Sequence, residues 1–135
     1  MTVLSDFSEE LLLEYLFTTI AAADRPTAWF ISLHDGDPGD TGANELTSGE
    51  DSGYTGPIRY EIDFTKAANN TVDNDALITY TPTDGTNIIT HVGIWTSATV
   101  GSGTYLCGGA LDAPRTITSA APFTIAAGDL VIALN

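Results

Sequence analysis

Residues 88–111, IITHVGIWTSATVGSGTYLCGGAL, decide the fold of this 135-residue chain. Two apolar arms flank a turn rich in serine and glycine, which is the pattern of a β-hairpin. The first arm contains mainly β-branched and aromatic side chains, so we expect it to lie in the centre of a sheet. The second arm ends in Cys107, Gly108, Gly109 and Ala110, which are small enough for a bulky neighbour to pack against them. Because a lone hairpin is marginally stable, the rest of the chain must supply more strands and a second layer.

A helix precedes the strands. Asp6 and Glu9 have the spacing of a capping box, and apolar residues then recur at helical intervals. This pattern predicts a helix over residues 5–24 that ends before Pro26. Its apolar stripe is wider than one face, so burial is expected on two sides. We interpret the stripe mainly as part of the domain's own core, with contact to a neighbouring subunit as the alternative.

Further strands are predicted from apolar runs between turn signals. Along residues 58–65 the pattern alternates, and it places Arg59, Glu61, Asp63 and Thr65 on a solvent-facing side. A polar connection is expected at residues 69–75, and a strand break at Pro114. The strands predicted outside the central hairpin cover residues 27–34, 58–65, 76–81, 115–118, 123–125 and 130–134, the last two forming a C-terminal hairpin.

These elements predict a mainly β fold, an antiparallel two-layer sandwich or jelly-roll-like domain of about seven or eight strands with one N-terminal helix. The length fits a single domain of residues 1–135, in which the sandwich occupies residues 27–135. A long acidic loop, residues 35–56, is expected to cross the surface because glycine, aspartate and serine dominate it.

The charge of the chain argues against two classes of partner. The sequence has 18 acidic and 4 basic residues, which gives a formal net charge of −14. Such a surface would repel both nucleic acid and an anionic membrane. The N-terminal segment is acidic where a secretory signal is basic, and Glu14 interrupts its apolar run, so neither a signal peptide nor a membrane span is predicted.

The acidic loop would offer oxygen ligands to calcium through Asp35, Asp37, Asp40 and Glu45. An EF-hand that began at Asp35 would need glycine at its sixth position and glutamate at its twelfth, where this chain has Asp40 and Leu46. The favoured interpretation is that the carboxylates build turns, and no cofactor is predicted.

Catalytic signatures are missing from the sequence, so no enzyme activity is predicted. Cys107 is the only cysteine, and its small or apolar neighbours indicate a packed side chain. His34 is interpreted as a strand-end residue that hydrogen-bonds to backbone. His91 is expected to be partly buried on a core strand, and nothing in the sequence places it beside His34.

Three segments resemble, in type and order, a family of small tailed-phage virion proteins found near tail or head genes. They are WFISLHDGDPGDTGANE at residues 29–45, VGIWTSATVGSGTYLCGGAL at residues 92–111 and FTIAAGDLVIAL at residues 123–134. In that family an Asp-Pro-Gly-x-Thr-Gly loop and a Gly-Gly-Ala arm are a shape signature and bring no catalytic residue. The matching positions here are Asp37, Pro38, Gly39, Thr41 and Gly42, together with Gly108, Gly109 and Ala110, whereas residues 46–56 are an inserted acidic stretch that departs from the family pattern.

The resemblance implies a non-enzymatic structural protein of the virion, made in the host cytoplasm and associated with the tail as a fibre or minor tail protein. It would act by self-association, for example as a trimer, and by contacts to capsid or tail components. A capsid cement protein is the alternative. A further alternative is a carbohydrate- or host-surface-binding module that stacks sugars on Trp29, Tyr54, Tyr60 or Trp95. The interface candidates are apolar residues of the helix and of the C-terminal strand, namely Leu11, Leu13, Phe17, Leu130, Ile132 and Leu134.

Overall fold

The computed structural model describes residues 3–18, 26–46, 59–66, 71–80, 86–118 and 121–133. These residues form one helix and ten strands. In chain order the elements are β1 (Val3–Leu4), α1 (Asp6–Phe17), β2 (Trp29–His34), β3 (Tyr60–Ile62), β4 (Phe64–Lys66), β5 (Thr71–Asn74), β6 (Ile78–Tyr80), β7 (Thr86–Trp95), β8 (Tyr105–Thr118), β9 (Phe123–Ile125) and β10 (Val131–Ala133). The predicted mainly β class with an N-terminal helix is confirmed.

The hairpin of β7 and β8 forms the centre of the larger sheet, whose antiparallel strand order is β1-β8-β7-β2-β3. β7 is the middle strand, as its β-branched and aromatic residues predict. Ile94 of β7 pairs with Ile31 of β2 on one side and with Cys107 of β8 on the other. The last four residues of β7 and of β2 are all buried, so this part of the sheet is covered on both faces.

Two smaller sheets, β10-β5-β4 and β6-β9, complete a sandwich-like arrangement. Ile31 and Leu33 of the larger sheet share one core cluster with Tyr80 and Phe123 of the β6-β9 sheet. The Tyr80 hydroxyl donates a hydrogen bond of 2.7 Å to the Ile31 carbonyl. A buried polar atom thus ties the layers together in the middle of the core.

The C-terminal strands do not form the predicted hairpin. β9 pairs with β6 and β10 pairs with β5, so the two strands belong to different sheets. The buried Asn74 side chain holds the chain where it changes sheets, because its amide donates to the Ala126 carbonyl and accepts from the Leu130 amide, both at 2.9 Å. The polar connection predicted at residues 69–75 is also wrong, since it contains β5, the middle strand of the three-stranded sheet.

Two other strand boundaries differ from the prediction. The segment predicted as one strand, residues 58–65, contains β3 and most of β4, which lie in separate sheets. β8 continues through Pro114 because its register with β7 shifts there. Four residues of β8, residues 111–114, lie opposite a single residue of β7, Thr90. A proline inside such a bulge removes no ladder hydrogen bond, so the strand is not broken.

Helix α1 is shorter and more exposed than predicted. It ends at Phe17 instead of residue 24, because Thr18 is extended and donates from both its amide and its hydroxyl to the Glu14 carbonyl. Threonine favours helix ends through this competition for backbone groups. No residue of α1 is buried, so the interpretation of its stripe as core is wrong. Residues 19–24 of the predicted helix lie outside the described part of the chain.

Candidate functional site

A buried arginine joins two loops at one end of the larger sheet. Arg59, which lies just before β3, is 1% exposed and forms a two-point ion pair with Glu45 at 2.6 and 2.7 Å. Its remaining terminal nitrogen donates to the carbonyls of Ser97, Thr99 and Ser102 at 2.9, 3.1 and 2.9 Å. One side chain therefore fixes both the loop after β2 and the turn between β7 and β8.

A chain of hydrogen bonds continues from this arginine into the sheet. The guanidinium lies over the Trp95 ring, 3.8 Å from its centroid. The Trp95 indole donates to Ser32 Oγ at 2.9 Å, and Ser32 Oγ is 2.7 Å from His34 Nε2. His34 Nδ1 is 2.7 Å from the Ala43 carbonyl, which can only accept. Nδ1 therefore carries the proton and Nε2 accepts from Ser32, which confirms the predicted backbone contact of His34.

The two histidines are closer than the sequence indicated. His91 is the register partner of His34 across β2 and β7. Burial lowers the pKa of His34, although the Ala43 hydrogen bond opposes this shift, so the imidazole is neutral at pH 7. His91 is half-buried as predicted, and its Nδ1 lies 2.8 Å from the Thr90 hydroxyl. The two rings are thus held by different groups.

Glycines allow the loop after β2 to pack directly on this cluster. Gly42 has a φ of +72°, and a Cβ at this position would overlap the Trp95 ring. A Cβ on Gly108 would overlap the Tyr105 hydroxyl and would lie 3.1 Å from Pro38. The glycine loop and the Gly-Gly-Ala arm singled out in the sequence therefore meet in space, on either side of two aromatic rings.

The chemistry of this cluster is that of a closed structural joint. His34 and Ser32 are fully buried, and Trp95 is nearly so, which leaves no opening for a substrate at these groups. Burial also raises the pKa of Tyr105, whose hydroxyl has no hydrogen-bond partner among the described residues. Groups that satisfy one another in a dry environment hold their loops rigidly. We name this cluster, Arg59 with Glu45, Trp95, Ser32 and His34, the buried polar joint.

The carboxylates considered as calcium ligands are not gathered into one site. Both oxygens of Glu45 accept from Arg59. Asp37 Oδ1 accepts from the Gly39 amide at 2.9 Å, which is the turn-building contact predicted for this loop. Over the described ranges, no three acidic, histidine or cysteine residues are grouped so that they could hold a metal, Asp35 and Asp40 included.

The aromatic residues considered for sugar stacking pack within the domain. Trp95 is buried, while Trp29 and Tyr60 are half-buried against other aromatic rings. Tyr54 lies outside the described residues. A stacking platform needs an aromatic face open to water, and these three side chains are placed as packing residues instead.

Apolar surface is concentrated on α1. Six of the nine exposed large hydrophobic residues described lie on this helix, and Leu13, Tyr15, Leu16 and Phe17 are 59, 63, 60 and 80% exposed. Its N-terminal end is hydrogen-bonded to the sheet, where the Ser5 amide and the Ser8 hydroxyl donate to the Leu106 carbonyl at 2.8 and 2.7 Å. Of the predicted helical interface residues, Leu13 and Phe17 are therefore accessible, whereas Leu11 is half-buried.

The C-terminal interface candidates are less accessible. Leu130 and Ile132 are half-buried and pack against the core, and Leu134 lies outside the described residues.

A cavity of about 510 Å³ lies beside β8, and Leu130, Ile132 and Cys107 are among the residues that line it. Burial raises the pKa of Cys107 to about 12, so its thiol is a poor nucleophile.

Arg59 is the structural residue that the sequence prediction placed wrongly. The alternation of residues 58–65 directed it to solvent, but it lies in a bend before β3 and turns inward. Glu61 and Asp63, on the same predicted side, are exposed as expected. No sequence signal pairs Arg59 with Glu45, because the two are 14 positions apart and belong to different segments.

Comparison with known proteins identifies the family of this chain. A search of curated proteins gives no match. Among the residues that the structure describes, α1 lacks the length and apolar character that crossing a membrane would require. Residues 3–133 match the family described as podophage GP4 fiber I protein gp80. Because the match covers nearly the whole sequence, the chain belongs to this family of tailed-phage fibre proteins.

Proposed function

We propose that this protein is a non-enzymatic, tail-associated structural component of the virion. It acts by associating with copies of itself and by contacting neighbouring virion proteins. Family membership supports a fibre role and a location in the virion. The closed buried polar joint supports a structural role, because its polar side chains bind one another and not solvent.

The observation that carries the proposal is the uncovered apolar surface of α1. A small domain rarely leaves several large apolar side chains together in water unless another molecule covers them. Leu77 and Ile88, which are 64 and 54% exposed and lie outside α1, offer additional apolar contacts. More than one contact surface suits a protein that touches both its own copies and a neighbour.

Two measurements on the full-length protein test this proposal. Light scattering gives the mass in solution, and cryo-electron microscopy with antibody labelling locates the chain on virions. We expect a mass larger than the 14.2 kDa of one chain, and labelling at the tail. A monomer that is absent from virions would overturn the proposal. Labelling spread regularly over the head would instead establish the capsid cement alternative.

A further inference from the structure

Helix α1 carries its exposed carboxylates in its first half and its most exposed apolar residues in its second half, where Glu14 is half-buried. Asp6, Glu9 and Glu10 are exposed in the first half, and Leu13 and Phe17 are exposed near the end. At 100° per residue, all five project within one side of the helix. Leu16 lies at the edge of this side, and Tyr15 lies on the side of the half-buried Ser8 and Leu11. With a rise of about 1.5 Å per residue, the centres of the two groups lie about 10 Å apart along the axis.

No positive charge on the helix balances these carboxylates. The last turn contains no basic residue, although the C-terminal end of a helix carries partial negative charge. The whole chain has 4 basic and 18 acidic residues, and Arg59 is already committed to Glu45 inside the domain. A second copy would therefore bring mainly the same sign of charge to this surface, which disfavours a self-contact here.

We propose that α1 docks into an apolar pocket on a different virion protein, and that this pocket has a rim of Lys or Arg about 10 Å from its centre. Leu13 and Phe17 fill the pocket, and the carboxylates of Asp6, Glu9 and Glu10 face the basic rim. The inference rests on the proposed virion role and adds to it the chemistry of the partner. Self-association then uses another surface of the domain.

Reattachment to particles tests the inference. Particles of the phage that encodes this protein are prepared without it, purified full-length protein is added, and bound copies are counted by quantitative immunoblot over a range of NaCl concentrations. We expect wild-type binding to weaken as salt rises. The double variant Leu13→Ala/Phe17→Ala should lose roughly tenfold or more in affinity. The double variant Glu9→Gln/Glu10→Gln should bind more weakly and with a shallower salt dependence.

Matched controls change the same kinds of residue elsewhere. Val131→Ala shortens an apolar side chain that is 45% exposed on β10, and Glu61→Gln/Asp63→Asn removes two exposed carboxylates near β3. These variants should bind as the wild type does. Because every changed residue is exposed, circular dichroism should show the same fold in all of them.

Three results would overturn the inference. Helix variants that reattach as well as the wild type would place the contact elsewhere while leaving the virion role intact. Helix variants that instead lower the oligomer mass in light scattering would make a second copy the occupant of this surface. Wild-type protein that fails to bind particles and is absent from normal virions would remove both the inference and the proposed function.

Discussion

Replacing Arg59 with alanine should destabilise the domain severely, because the change leaves a buried carboxylate without its partner. The Arg59 and Glu45 side chains are 0 and 7% exposed, so solvent screens their ion pair weakly. Breaking a buried pair by removing one partner costs about 3–5 kcal/mol. The same change removes the donor that satisfies three backbone carbonyls in the turn between β7 and β8, so we expect the upper part of that range. For a loss of about 4–5 kcal/mol, and with an unfolding entropy of about 0.28 kcal/mol/K for a chain of this length, Tm should fall by roughly 14–18 °C.

The assay is urea unfolding followed by tryptophan fluorescence, with a thermal melt alongside. Arg115→Ala is the matched control, since Arg115 is exposed on β8, and it should leave the midpoint unchanged. The double variant Arg59→Met/Glu45→Gln should recover part of the loss, because no uncompensated charge then remains buried. A loss below about 1 kcal/mol for Arg59→Ala would refute the reasoning, since it would mean that the pair is solvated in solution.

Three further perturbations test the same region. Gly108→Ala should destabilise the fold by roughly 1–3 kcal/mol in urea unfolding, because the new methyl group overlaps the Tyr105 hydroxyl. The control Gly36→Ala should lower the free energy of unfolding clearly less, because its methyl group meets the movable Asn44 side chain. Equal losses for the two variants would contradict this account. The lowered pKa of His34 means that the unfolded chain binds its proton more readily, so the His34 contribution to stability is complete above pH 6.5 and is lost as pH falls below that value. His34→Gln should flatten stability between pH 7 and 5 relative to wild type, and parallel curves would contradict the assignment. Cys107, with its pKa raised to about 12, should react with iodoacetamide at pH 8 only after unfolding, so rapid labelling of the folded protein would show that the thiol is accessible.

The sequence predicted the parts of the fold that depend on local pattern. β-branched and aromatic residues identified β7 as the central strand, and the glycine-rich arm after Tyr105 identified the start of β8 as a close-packed strand. A helix cap near Ser5 or Asp6 was also predicted. Ser5 fills this position by accepting from the Ser8 amide, whereas Asp6 of the predicted capping box is the first residue of the helix. Each of these features follows from side-chain shape or from hydrogen bonds within a few positions.

Most of the errors concern contacts between residues far apart in the chain. β9 and β10 are separated by a good turn sequence, yet each finds its partner in a different earlier strand. The alternating apolar pattern of residues 58–65 predicted that the Arg59 side chain faces solvent. It is buried instead, because its partners lie 14 and about 40 positions away in the sequence. The stripe of α1 was assigned to the core because periodicity reports that a face is apolar and does not report what covers it.

The ion pair of the buried polar joint also bears on how this protein can change in length during evolution. Glu45 and Arg59 are 14 positions apart in sequence and are held together at one buried point. When the ends of a segment are clamped in this way, doubling its length costs only about 0.6 kcal/mol of chain entropy. Residues 46–58 lie between these clamped ends in the sequence. We therefore expect that an epitope inserted between Leu46 and Arg59 leaves both anchors in place, because each is buried by its own contacts in the sheet scaffold.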